Sequence, residues 1–162
     1  MAGPLADIVV QKIGQAAELY YRLVLLVAPV GAGKTAALQD VHVRLMAPLV
    51  NVNLELSQCM LGLTSRQRAL QLPRLLQDIC VLNAERQTCP VILLDNIELL
   101  FAVPLAQDPL RLLQGLSRNK TVVAAWGGSI ASSSLVYATP DHPEYRRYPL
   151  RDFLVVHPEA IT

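Results

Sequence analysis

Lys34, Thr35, Asp95 and Glu98 are the residues of this chain whose types and spacing could do chemistry. Residues 28–35 read APVGAGKT: an alanine, four free positions, then Gly-Lys-Thr. Such a stretch cradles a phosphate when a strand feeds it and a helix leaves it. Gly31 and Gly33 permit the unusual backbone torsions and the close approach. The first turn of the following helix adds backbone N–H groups and its dipole to the anion site. Pro29, Val30, Gly31, Ala32, Gly33, Lys34, Thr35 and Ala36 are therefore the expected nucleotide-binding set. Lys34 would reach the β- and γ-phosphates, and the Thr35 hydroxyl would ligate Mg²⁺. Ala28 stands where glycine is usual, which works if its φ stays negative. A glycine-rich turn that happens to precede a lysine is the plain alternative.

Asp95 closes the apolar run CPVILLD. An acid at the end of such a strand could hold a Mg²⁺-bound water beside Thr35, although many strands end in Asp. Cleavage of a phosphoanhydride also needs a group that orients or deprotonates water. A Glu directly after the acid is the common solution, but Asn96 occupies that place. Glu98 is the nearest carboxylate and the candidate base; otherwise it sits at the start of a short helix, favoured there by the dipole. Lys34, Asp95 and Glu98 form the candidate catalytic set, with Thr35 and Asp95 the candidate Mg²⁺ ligands. Ser129, after Gly127 and Gly128, is a weak candidate for sensing a γ-phosphate, and Trp126 reads as core or pocket wall. Arg146, Arg147 and Arg118 are candidates for an arginine supplied between subunits. Arg146, Arg147 and Arg151 could instead meet nucleic-acid phosphates, or simply line a solvated turn.

These residues need elements to position them. Apolar positions from Leu5 to Tyr20 recur at helical spacing. Residues 22–28 read as a buried strand, 33–46 as a helix, and 49–56 (LVNVNLEL) as an alternating strand. Thr64 and Gln67 fit a capping box, opening a helix to about Arg86 in which Pro73 should kink the chain or force a late start. Residues 89–95 read as the third strand, 97–101 as a short helix or loop, 108–117 as a helix and 120–126 as the fourth strand. Residues 127–134 are small and polar, 139–149 are turn-rich, and 153–157 read as the fifth strand. Alternating strands and helices predict a single α/β domain, a three-layer sandwich with a central parallel sheet of about five strands. The loop then lies at the carboxyl ends of the strands, where open sheets of this kind bind ligands.

The totals agree with a compact globule: 162 residues, 52% hydrophobic, 17% charged, net charge +1. A wrapped nucleic acid usually needs a clear basic surplus. Cys59, Cys80 and Cys89 form no C-x-x-C pair, so free thiols in a reducing cytoplasm are expected, with Cys80 in a helix core. His42, His142 and His157 lack metal-ligand spacing. No run reaches the roughly eighteen apolar residues of a membrane span. The opening MAGPLADIVVQK lacks a leader pattern, so a cytoplasmic location and no membrane partner are expected.

With these residues placed, the chain resembles the BrxF family, small P-loop proteins of BREX phage-defence systems. The resemblance rests on YYRLVLLVAPVGAGKTAALQ, VNVNLELS, TSRQR and PVILLDNIELLF, and covers nearly the whole chain. It implies a P-loop NTPase fold related to AAA+ cores, in a bacterial or archaeal cytoplasm. It also implies partners among other BREX proteins, a DNA methyltransferase and a large ATPase included. AAA+ ATPases carry a helical lid after the fifth strand, and with the chain closing at Thr162 that lid is expected to be missing. The leading expectation is an ATP- and Mg²⁺-binding, slowly hydrolysing homo-oligomer. The alternatives are an assembly or DNA-associated module that binds ATP without turnover, and a small-molecule kinase, for which residues 104–109 supply no obvious lid.

Overall fold

LVLLV, VILLD and TVVAAW are buried at every position, as strands covered on both faces must be. In the computed structural model they form the middle of a five-stranded sheet; residues 3–86 and 89–158 are described. The first residues searched for a leader, 1–2, and the chain end on which the missing lid rests, 159–162, lie outside them. In chain order the elements are α1 (Gly3–Ala16), β1 (Leu23–Val27), α2 (Lys34–Leu45), β2 (Leu49–Asn51), α3 (Val52–Cys59) and α4 (Ser65–Arg86). Then come β3 (Val91–Asp95), two 3₁₀ turns (Glu98–Phe101 and Val103–Leu105), α5 (Pro109–Leu116) and β4 (Thr121–Trp126). Four short strands follow: β5 (Ser129–Ala131), β6 (Ser134–Tyr137), β7 (Arg146–Pro149) and β8 (Leu154–Val156).

The main sheet runs β2-β3-β4-β1-β8, and every pairing in it is parallel. Its two faces follow the strand period of two. Leu23, Leu25, Ile92, Leu94, Val122 and Trp126 point to one core with α3, α4 and α5. Val24, Leu26, Leu93, Val123 and Ala125 point to the other, with α1 and α2. The α/β sandwich with a central five-stranded parallel sheet is thus observed. Among the described residues no helix is long and apolar enough to cross a membrane.

Several expectations are corrected. The first helix ends at Ala16, and Leu19 and Tyr20 beyond it are exposed. Residues 49–56 are not one strand. Pairing stops at Asn51, whose side chain accepts a hydrogen bond from the Leu54 amide and caps α3. Thr64 and Gln67 do cap each other reciprocally at the start of α4 (2.9 and 3.1 Å). Pro73 neither ends that helix nor delays it. A proline there leaves the Ala69 carbonyl without its usual amide. Gln107 Nε2 donates to that carbonyl instead, at 2.7 Å, and to the Leu105 carbonyl, also at 2.7 Å.

The largest correction lies between β4 and β8. The small and turn-rich stretches fold into a three-stranded antiparallel sheet, β5-β6-β7. Its anchor is aromatic. Tyr137 stacks on Phe101 with centroids 3.6 Å apart, and Trp126 meets Phe101, Tyr137 and Tyr148 edge-on. Trp126, fully buried as expected of a core residue, donates from Nε1 to the Val136 carbonyl at 3.2 Å. Gly128 makes this approach possible. A Cβ there would fall 2.0 Å from the Val136 oxygen and 2.9 Å from Trp126 Nε1. Gly128→Ala is therefore expected to destabilise the fold by about 2–3 kcal/mol, the upper range of overpacking costs. A chemical-denaturation midpoint unchanged from wild type would show that the small sheet yields freely.

Candidate functional site

The loop between β1 and α2 opens at the carboxyl end of β1. Ala28 is buried and donates its amide to the Trp126 carbonyl at 3.1 Å, which ties the start of the loop to β4. Ala28 has no positive φ, so alanine is unstrained there. Gly31 (φ 83°) and Gly33 (φ 92°) lie in the left-handed region, as the two glycines were expected to. Gly33 caps α2 without any side-chain hydrogen bond to the first turn. The opening amides of a helix have no intrahelical acceptor. Lys34, Thr35 and Ala36 form that turn, and Pro29, Val30 and Gly31 stand exposed around it. The concave backbone and the dipole suit an anion.

Thr35 and Asp95, sixty positions apart in the chain, meet directly. Thr35 Oγ1 donates to Asp95 Oδ2 at 2.7 Å. The other carboxylate oxygen, Oδ1, accepts the Asn96 amide at 2.9 Å. Asp95 is buried at the end of β3, so its orientation is fixed from both sides. Two hard oxygen donors at one point are the donor set that Mg²⁺ takes, with waters completing its octahedron.

Asn96 does not aim the chain onward as a strand would. Its φ is 53°, a left-handed conformation that Asn tolerates better than most residues. That turn buries Ile97 in the core and starts the 3₁₀ turn at Glu98. Glu98 Oε2 then lies 3.7 Å from where a Gly127 Cβ would stand, at the end of β4. Glu98 thus joins the end of β4 to the Lys34–Asp95 cluster.

Asn53, on α3, is the residue that sequence reasoning missed. Its Nδ2 donates to Glu98 Oε1 at 3.0 Å, its Oδ1 accepts the Leu99 amide at 2.8 Å, and its own amide donates to the Asn96 carbonyl at 2.8 Å. The signal was present as two asparagines two apart in LVNVNLEL. Read as a strand, both fell on a solvent face; as a cap and a first-turn residue they serve different partners.

Lys34 Nζ donates to the carbonyls of Ala28 (2.7 Å) and Pro29 (2.9 Å). Burial pulls the Lys34 pKa below its ordinary value, and the nearby charges of Glu98 and Asp95 act in the opposite sense. The amine is therefore a partly desolvated cation held on two loop carbonyls, with Glu98 and Asp95 near enough to act on it electrostatically.

The arginines do not converge here. Arg146 donates to the Gln107 carbonyl at 2.7 Å, which joins it to the repair of the Pro73 gap. Arg151 lines a shallow cleft with Asp108 and Tyr148, while Arg147 is exposed on β7. Arg118 lies over the Tyr20 ring, beyond the opposite ends of the strands. Ser129 is exposed on β5 and lines a cleft of about 240 Å³ with Pro29, Ala32, Ile130 and His157. Cys80 is buried in α4 as expected, and Cys59, Cys80 and Cys89 are free thiols.

No protein-family model matches the chain, and no curated protein matches it significantly.

Proposed function

We propose that the chain is a P-loop NTPase that binds ATP with Mg²⁺ and hydrolyses it slowly. One observation carries this reading: the 2.7 Å contact between Thr35 Oγ1 and Asp95 Oδ2, which unites the residue after the glycine loop's lysine with the acid ending β3. Residues 29–36 would surround the β- and γ-phosphates, residues 30–36 with backbone N–H groups, and Lys34 would turn its ammonium from the loop carbonyls to the phosphate oxygens. The nucleoside end has space beside the loop, in the cleft shared by Ala32, Ser129 and His157. Mg²⁺, when bound between Thr35 and Asp95, would neutralise phosphate charge and fix its orientation. In hydrolysis, a water oxygen attacks the γ-phosphorus, the bond to the β-bridging oxygen breaks, and Glu98 takes the water's proton.

Asp95→Asn tests the metal half of the site. The expected result is a loss of about 10–100-fold in Mg²⁺-dependent ATP affinity, about the size of one charge-assisted contact. ATP binding that is equal in Mg²⁺ and in EDTA, and equal in the variant, would remove Thr35 and Asp95 from any metal site.

A second reading is binding without turnover, favoured by the left-handed Asn96 turn and by the hydrogen bond that holds Glu98 on Asn53. In either case we infer a BrxF-like cytoplasmic role in BREX defence, as a homo-oligomer beside other BREX proteins. Its support is the sequence blocks around the loop, the capping box and β3. Co-expression with a BREX methyltransferase and ATPase, followed by affinity purification, tests it; separate elution of all components in the presence of ATP would count against it.

A further inference from the structure

A different cleft lies toward the amino ends of β3 and β4, away from the glycine loop. It occupies about 290 Å³ between α4 and α5. Its floor is apolar, with Ile92, Cys80 and Leu116, and its rim carries Arg111 and Lys120. A hollow of about 400 Å³ continues it, sharing Gly115 and Asn119 and adding Tyr20 and Arg118. No Asp or Glu lines either part. Among the described residues Arg111, Arg118 and Lys120 form no ion pair, and Arg118 instead stands 5.3 Å from the centroid of Tyr20. Arg111 and Lys120 thus border the apolar cleft and Arg118 the more polar hollow that continues it, with no carboxylate on either lining; Arg111 also borders the separate cleft that holds Asp108 and Asp152.

Gly115 sits where the two hollows join. It is helical, its φ is not in the left-handed region, and a Cβ there would meet nothing within 4 Å. Glycine in a helix is less stable than alanine, so neither the backbone nor the packing of this chain accounts for it. A methyl at 115 would leave the passage open, whereas a large side chain would project into it. The cavity volume is at the lower end for small-molecule sites, roughly 300 Å³ and above.

We propose that this cleft binds an amphipathic organic anion, its apolar body against Ile92 and Leu116 and its carboxylate, sulfonate or phosphate head among Lys120, Arg111 and Arg118. Charge complementarity selects the anion, because every charged group on the lining is a cation. The apolar floor selects the body, because an inorganic anion would leave it wet. The Cys80 thiol takes no covalent part: burial pushes its pKa up to about 12, and it stays protonated at neutral pH.

Anilinonaphthalenesulfonate is a suitable probe, titrated by fluorescence against the full chain. The expected result is saturable one-to-one binding that ATP does not displace. Gly115→Trp, which fills the passage, and Lys120→Glu should each weaken it about tenfold or more, a change of one decade in Kd. Gly115→Ala should retain binding and raise the thermal midpoint. The uncharged anilinonaphthalene should bind about tenfold more weakly than the sulfonate. Should Gly115→Trp fail to fold, Lys120→Glu carries the test, since it leaves the floor intact. Unchanged affinity in Lys120→Glu, displacement by ATP, or equal binding of the uncharged dye would overturn the proposal. Lys120-dependent binding of an acidic helical peptide without binding of the dye would also overturn it, and would make the cleft a protein-docking groove. Apart from the ATP competition, none of these outcomes depends on whether the glycine loop binds ATP.

Discussion

Replacing Lys34 with methionine is expected to weaken ATP binding by about 100-fold or more and to remove a pH-dependent penalty from the fold. The first half follows from contacts. A lysine ammonium gives a triphosphate charge-assisted hydrogen bonds worth about 1.5–3 kcal/mol each, so two come to about 3–6 kcal/mol, above the roughly 2.7 kcal/mol of a 100-fold change. The second half follows from the direction of the pKa shift. A lysine whose folded pKa lies below its ordinary value is less comfortable charged in the folded chain than in the unfolded one. At neutral pH that penalty is fully present. It fades as pH rises through the lowered value and is gone above 10.5. Methionine keeps the length of the side chain and removes both the charge and the donations to the Ala28 and Pro29 carbonyls, so the stability of the variant relative to wild type should fall as pH rises through the lowered value. ATP should raise the thermal midpoint of wild type and not that of the variant. Bound phosphate would also favour the charged amine, so ATP affinity should begin to fall at a lower pH than an exposed lysine would give. Isothermal titration at several pH values, beside thermal unfolding of both proteins, measures all of this. Equal ATP affinity in the two proteins would show that residues 28–35 form a turn and nothing more.

The loop was legible because its constraints are local. Two glycines at positive φ, a lysine opening a helix and an apolar strand before it can be read from eight residues and their flanks. The meeting of Thr35 with Asp95 was legible at one remove, from strands buried on both faces and a parallel sheet that brings their carboxyl ends together. What was not legible depends on partners distant in sequence. Pro73 passes through α4 because Gln107 serves the freed Ala69 carbonyl. LVNVNLEL alternates like a strand, yet Asn51 turns it into a helix once β2 has paired with β3 over three residues. The β5-β6-β7 sheet has short, half-exposed strands whose turn residues conceal them, and its anchor is an aromatic cluster drawn from four separate segments.

Asn53 bears on the proposed reaction because it decides where the Glu98 carboxylate points. Glu98→Gln is expected to keep ATP affinity within about threefold and to lower turnover about 100-fold or more, the usual contribution of a positioned general base. Glutamine preserves the Asn53 contact, since its amide oxygen accepts from Asn53 Nδ2 as the carboxylate does at 3.0 Å. It removes only the ability to take a proton at neutral pH. Asn53→Ala separates position from chemistry: the carboxylate remains, its orienting donor is gone, and the rate should change with ATP affinity intact. A protein-concentration series adds the oligomer. None of Arg118, Arg146 and Arg147 shares a hydrogen bond with the Lys34–Asp95–Glu98 group, so an arginine acting there would come from a second copy. Turnover rising faster than linearly with concentration, and lost in Glu98→Gln, is the expected pattern. Turnover that survives in Glu98→Gln would take the base role from this residue. Mg²⁺-dependent binding with no turnover at any concentration would instead leave Glu98 held on Asn53 as a resting geometry, and would make the nucleotide a ligand of assembly.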